Sequence, residues 1–339
     1  MQGKSSSSVV RAYSRGGQFF RAALSFVVLL VLSAVILWQH DFLIDKAALL
    51  AYHPPQVITQ LAKDDAMTAL GTRLFYVNKP VLTADKAIFN QHCVDPDEQV
   101  IVLGCYLGNR QGIYLYSVND PQLAGVEQVT AAHEMLHQAY QRLSSGERTR
   151  VDKLLQQYYQ THTTPDLVSQ IGIYHQTEPG DELDEMHSVI GTEMSDLPPA
   201  LQTYYAHYLA NQPKIAAYYQ QYSAEFNKRK AAVTADDQQL AALKTQIEAG
   251  KTDLSAREQT LSSLRAQMND YLAQNQVATY NSLVSVYNAQ VNAYKAKLST
   301  INAFIDQYNQ LLDQRNAIAI QVQKLEDAIN SQVDSVSKQ

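Results

Sequence analysis

Val129-Thr130-Ala131-Ala132-His133-Glu134-Met135-Leu136-His137 is the stretch on which the reading of this chain turns. His137 stands four positions after His133, so on a helix both project from one face, about one turn (~5.4 Å) apart. Two imidazoles placed in this way can share one Zn²⁺. Glu134, next to the first of them, is then positioned to act as general base on water. A surface helix with two solvated histidines and an ion-paired glutamate is the bland alternative. The small and apolar residues around the pentapeptide speak against it, because they are what a helix buried beside a sheet requires.

The nonapeptide resembles the active-site helix of zincin metallopeptidases. That resemblance implies an α+β domain, mostly helical with a small sheet, in which an edge strand stands just ahead of the motif helix; Ile113 to Val118 occupies the corresponding place. Metzincins are excluded, since Gln138-Ala139-Tyr140 follows His137 where they carry H-x-x-G-x-x-H. Catalytic zinc takes three protein ligands and keeps one position open, so a third ligand must come from elsewhere in the chain. In the gluzincin branch it is a glutamate on a later helix, and the segment from Asp181 to Glu193 is rich in candidates. Glu185 is the first choice, sharing a helical face with Ser188 and Val189, and Glu182, His187 and Glu193 are the alternatives. His187 is also read as a group behind the ligands or facing substrate. Better-known gluzincins often carry an Asp four residues after that glutamate, where this chain has Val189.

The resemblance further implies a Tyr or His that stabilises the oxyanion, for which Tyr204, Tyr205, His207 and Tyr208 are candidates, with His175 behind them. Tyrosines at helical spacing also read as core, and the chain has 21 of them. The chemistry implied is peptide hydrolysis by a zinc-activated water, with Glu134 taking its proton and returning it to the leaving amine.

Charge and hydropathy place this chemistry in the cell. A net charge of −6, with no basic stripe beyond the first residues, excludes nucleic acid as the main partner. Residues 22–40 carry no formal charge and read AALSFVVLLVLSAVILW up to Trp38, long enough at ~1.5 Å per residue to approach the ~30 Å hydrocarbon core. Lys4, Arg11, Arg15 and Arg21 precede this run, and Asp41 and Asp45 follow it. The expectation is a single-pass anchor in the cell membrane, with a disordered cytoplasmic tail at 1–21 and everything after Trp38 extracytoplasmic. A cleaved signal peptide and a buried core helix are the alternatives, but no clear small-x-small cleavage site follows the run. In that compartment Cys93 and Cys105, the two cysteines of the chain, are expected to form a disulfide rather than remain buried thiols.

Residues 50–225 are read as the metallopeptidase domain. A helix from Pro54-Pro55 towards Met67, a strand at 73–77, a short helix from Thr83 through Phe89 and a strand at 99–103 lead up to the motif helix. After it come a helix starting at Ser144 or Ser145, a looser stretch at 161–179, a helix over 181–193 and another after Pro198-Pro199. From 236 to 339 the composition turns to Gln, Ala, Asn and Leu. Leu240, Ile247, Leu254, Leu261 and Met268 form one heptad row, and Tyr280, Tyr287, Tyr294, Ile301 and Tyr308 another. Gln274-Asn275-Gln276 between them reads as the turn of an antiparallel coiled-coil hairpin; one uninterrupted dimerising helix is the alternative.

Together these features describe a membrane-anchored extracytoplasmic zinc metallopeptidase acting on a peptide or protein, with a helical hairpin available to a protein partner. A non-catalytic envelope scaffold with a structural or degenerate zinc site is the second reading. A zinc hydrolase of a cell-wall amide is the third.

Overall fold

The segment Val126–Gln141 folds as a helix, and what it buries places the elements around it. A computed structural model describes residues 15–93, 102–177 and 180–333. It begins with α1 (Arg15–Trp38), α2 (His40–Leu50), α3 (Gln56–Asp64) and α4 (Ala69–Tyr76), followed by β1 (Val81–Thr83), α5 (Lys86–Cys93), β2 (Gly104–Tyr106) and β3 (Ile113–Tyr116). The motif helix is α6 (Val126–Gln141). Then come α7 (Ser145–Thr161), α8 (Pro165–Thr177), α9 (Glu182–Glu193), α10 (Pro199–Tyr205), α11 (Gln212–Ala273) and α12 (Val277–Ile329).

The three strands form a mixed sheet in the order β1-β3-β2, with β1 parallel and β2 antiparallel to β3. Strand alternation divides β3 between two cores. Ile113 and Leu115 are buried with Ala131, Ala132, Met135 and Leu136 of α6, while Tyr116 packs on the other face with Phe89 and Cys93. The strand ahead of the motif helix is therefore central rather than an edge, and β2, which follows the expected strand at 99–103, takes the edge position. Val100 and Ile101 of that expected strand lie outside the described residues, as do residues 1–14 of the tail.

Two local readings are corrected. The apolar run at 73–77 belongs to helix α4, because Thr68 caps it by accepting from the Gly71 amide (3.1 Å) and so satisfies a first-turn donor. A five-residue apolar run by itself does not separate strand from buried helix. The stretch at 161–179 is largely helix α8: Thr164 accepts from the Leu167 amide (3.2 Å), Pro165 starts the helix, and Leu167 and Ile171 bury one face.

Helix α9 lies directly on α6. Gly191 makes this approach possible, since a Cβ there would meet Leu136 Cδ1 and Tyr205 Cε1 at 2.6 Å each. Helix α11 starts within the same core, with Ile215 and Ala216 buried, and Gln212 Nε2 donates to the carbonyls of Gly191 and Met194 at the end of α9. It then runs through 226–235 without a break, about 90 Å in all. Residues 274–276 turn the chain, Asn275 adopting the left-handed conformation (φ 58°), and α12 returns antiparallel. Gly250 leaves room for Ile301, whose Cγ1 lies 2.6 Å from where a Cβ would stand. Beyond α12, Ser331 Oγ donates to the Val102 carbonyl (2.5 Å) and Asn90 Nδ2 donates to the Ser331 carbonyl (2.6 Å), so the hairpin ends against the sheet.

Helix α1 starts inside the expected tail and exposes Leu24, Phe26, Val27 and Leu29 through Leu32. Among the described residues no single helix is long and apolar enough to cross a membrane; Ala23–Ile36 and His40–Leu50 meet that test together as a pair bent by 64°. Asp45 of α2 is 1% exposed and ion-paired to Arg73 (3.6 Å), Arg110 (2.9 Å) and Arg142 (2.9 Å). It thereby ties α2 to α4, to the β2–β3 turn and to the end of the motif helix.

Candidate metal centre

Helical spacing and packing build this centre in layers. His133, Glu134 and His137 come from α6, whose opposite face is held by Met135, Leu136 and Ala139, all fully buried. Helix α9 crosses α6 and brings Glu185 to the two histidines: His133 Nε2 lies 3.5 Å from Glu185 Oε2, and His137 Nε2 lies 3.3 Å from Glu185 Oε1. The three potential ligand atoms all fall within 4.8 Å of one another. Two imidazole nitrogens and a carboxylate oxygen suit zinc chemically, and bonds of ~2.0–2.1 Å to a tetrahedral ion require such atoms roughly 3.3 Å apart. The donor set therefore suits a metal ion such as Zn²⁺ in type, and the two His–Glu separations, 3.5 and 3.3 Å, lie near that spacing.

The neighbours of this triad fix its orientation. Asp184, next to Glu185 in the chain, lies 2.8 Å from His137 Nδ1, which leaves Nε2 to face Glu185. Burial disfavours a charge on His137, but Glu185 and Asp184 outweigh it and push the ring up to about 10. These carboxylates thus favour positive charge at His137. Glu134 is 5% exposed, and burial raises its carboxyl pKa against the opposing pull of His133 and His137. A weakly hydrated carboxylate whose pKa is raised holds a proton more readily than a free glutamate, which suits it to proton transfer.

The triad opens into a cavity of about 430 Å³. Val102 to Tyr106, including edge strand β2, form one wall, and Tyr219 and Tyr222 of α11 form part of the other. Gln170, Glu193, Asp181 and Asp184 complete the polar lining. Gly104 touches the motif helix itself: a Cβ at this position would lie 2.7 Å from Glu134 Oε1 and 2.5 Å from Thr130 Cγ2. Tyr106 is hydrogen-bonded to the Gln138 side chain (2.5 Å) and to Gln141 (2.9 Å), and burial pushes its hydroxyl up to about 12. The disulfide between Cys93 and Cys105 (Cα–Cα 5.4 Å) ties β2 to α5 beside the cavity.

Of the residues singled out in the sequence, His133, Glu134, His137 and Glu185 are brought together. The alternatives lie elsewhere or act differently. Glu182 pairs with His175 (2.8 Å) at the surface, and Glu193 lines the cavity, held by Gln170 (3.0 Å). His187 is fully buried behind α9, its Nε2 hydrogen-bonded to the Tyr204 hydroxyl (2.8 Å), and burial keeps its ring neutral. Tyr204, Tyr205 and Tyr208 belong to the core, Tyr205 donating to the His187 carbonyl (2.7 Å), and His207 is exposed. None of these four lines the cavity, because α10 packs behind α9 rather than over the triad. The tyrosines that do line it are Tyr106, Tyr219 and Tyr222. Sequence reasoning gave no role to these three, to Gly104 or to Asp184. Only Asp184 left a signal, as the acidic neighbour of Glu185.

Comparison with known proteins finds no matching family model, no matching curated protein and no matching solved structure.

Proposed function

We propose that this chain is a membrane-anchored, extracytoplasmic zinc metallopeptidase with a gluzincin-like arrangement of His133, His137 and Glu185 as ligands and Glu134 as general base. One observation carries the reading: the three ligand atoms converge at the edge of an open cavity that also holds the Glu134 carboxylate. A structural zinc site closes its coordination with four protein ligands, whereas a catalytic one retains an open position beside a base.

Zinc bound there supplies a Lewis acid that acidifies water and polarises a carbonyl. The chain's own residues perform the remaining work. Glu134 takes a proton from water and returns it to the leaving amine, and its burial makes it a stronger base than an exposed glutamate. Asp184 holds the His137 ring in one tautomer. An extended peptide added along the edge of β2 that no described strand pairs with would run past Glu134, where Gly104 permits close backbone approach. Among the described residues, Tyr106, Tyr219 and Tyr222 are the tyrosines lining the cavity in which the oxyanion would develop, and one of them would have to exchange its present partner to donate to it. Extracytoplasmic placement is supported by the exposed apolar α1, the basic residues ahead of it and the Cys93–Cys105 disulfide.

The test is metal content and cleavage measured on purified full-length protein. The reading expects one zinc per chain and hydrolysis within a peptide library, abolished by Glu134→Gln with fold and zinc retained. Zinc-free protein, or cleavage indifferent to that substitution, overturns it. The length of the α11–α12 hairpin favours an envelope scaffold as the second reading, which zinc without hydrolysis of peptides or cell-wall amides would select.

A further inference from the structure

Glu193 stands on the same side of α9 as Glu185, eight residues and about 12 Å further along the helix. It lines the cavity yet is only 8% exposed. Its Oε1 accepts from Gln170 Nε2 (3.0 Å), and the Tyr219 hydroxyl is directed at the same carboxylate. Its Oε2 has no hydrogen-bond partner, a costly condition for a buried carboxylate oxygen and one that a bound donor would relieve.

The surrounding lining points to the kind of donor. Glu134, Asp181, Asp184, Glu185 and Glu193 are among the lining residues, and no Lys or Arg is among those described. Burial raises the Glu134 and Glu193 carboxyls, but Asp181, Asp184 and Glu185 by themselves exceed the charge of a divalent ion. The field in the cavity therefore attracts cations and repels anions. Tyr219 and Tyr222 stand edge to face (5.4 Å between ring centroids) and offer aromatic surface to an ammonium or guanidinium.

We infer that the cavity selects peptides bearing a cationic group, an amino-terminal ammonium or a Lys or Arg side chain, and that Glu193 with Gln170 and Tyr219 receives it. This rests on the peptidase reading of the same cavity and names its substrate class. An apolar group in this position leaves Glu193 Oε2 without a partner, and an acidic group is repelled.

Full-length, zinc-loaded Glu134→Gln protein in detergent, titrated with capped alanine hexapeptides carrying one Lys, Arg, norleucine or Glu, tests the inference. The norleucine peptide with a free amino terminus separates the two sources of positive charge. Either cation is expected to bind at least about tenfold more tightly than capped norleucine, as a charge-assisted hydrogen bond implies. Adding Glu193→Gln should reduce that preference to within about twofold with zinc content unchanged. Equal binding of neutral and cationic peptides, no binding of any peptide, a preference that survives Glu193→Gln, or loss of zinc in that variant each overturns the inference. If Glu193→Gln does not fold, the ordering of peptides on the parent protein decides. Hydrolysis by the unsubstituted chain without charge preference overturns this inference and leaves the peptidase reading; charge-selective binding without hydrolysis does the reverse.

Discussion

Asp184 Oδ1 lies 2.8 Å from His137 Nδ1, so the carboxylate that orients one candidate ligand is the chain neighbour of another, Glu185. One turn of α9 therefore supplies both a candidate ligand and the group that holds the ring of another. Asp184→Asn should weaken zinc affinity about 10- to 100-fold while leaving the fold intact. Competition with a chromophoric chelator measures this, and an unchanged affinity would show that Asp184 has no such role.

Gly104 is the point at which the sheet touches Glu134, the proposed general base. Gly104→Ala places a methyl group within 2.7 Å of the present Glu134 Oε1, so either the carboxylate or β2 must move. Zinc content should persist while kcat falls, on the order of 100-fold for a displacement near 1 Å. Retained kcat with a displaced Glu134 carboxylate would mean that Glu134 does not act from its present position.

Asp45 is buried among three arginines, and Asp45→Ala leaves their charges without the carboxylate at their centre. A loss of about 3 kcal/mol is expected in denaturant titration. A loss under about 1 kcal/mol would indicate that the arginines simply rotate into water. The same ion pairs predict that a soluble fragment beginning after Asp45 will be less stable than one that includes α2.

Asp65 provides a pH signature. It is fully buried, neither oxygen has a hydrogen-bond partner, and burial raises its pKa well above that of a free aspartate, with Asp64 adding to the effect and Lys214 opposing it. Below the unfolded-state pKa near 3.8 both states hold the proton and no penalty arises. As pH rises from there to the higher folded-state pKa, the unfolded chain ionises first and stability falls. Asp65→Asn should remove this slope, so that its stability relative to the unsubstituted chain improves from about pH 4 upward. Parallel melting curves for the two proteins would refute the assignment.

Much of the molecule was legible as local pattern. His133 and His137 share a face because helical geometry demands it, and the heptad rows on either side of 274–276 specify two helices and a turn. Cys93 and Cys105 were readable as a bridge from compartment and count. Short apolar runs were not. Residues 73–77 carry no period long enough to tell strand from helix, and only the Thr68 cap decides for α4.

The tyrosines show the same limit at longer range. Tyr204, Tyr205 and Tyr208 follow α9 in sequence and resemble site residues, yet α10 directs them into the core around His187. Tyr219 and Tyr222 reach the cavity because α11 passes back over it. No spacing rule encodes that return.

By itself the sequence determined the chemistry available on α6, the apolar stretch at the amino terminus and the helical hairpin, since each depends on residues a few positions apart. Tertiary structure alone decided that Glu185 meets His133 and His137, that β2 rather than β3 borders the cavity, and that Glu193 faces into it. Those outcomes depend on how α9 and α11 cross α6. A crossing is set by complementary surfaces such as Gly191 against Leu136, which come from distant parts of the chain and leave no periodic trace.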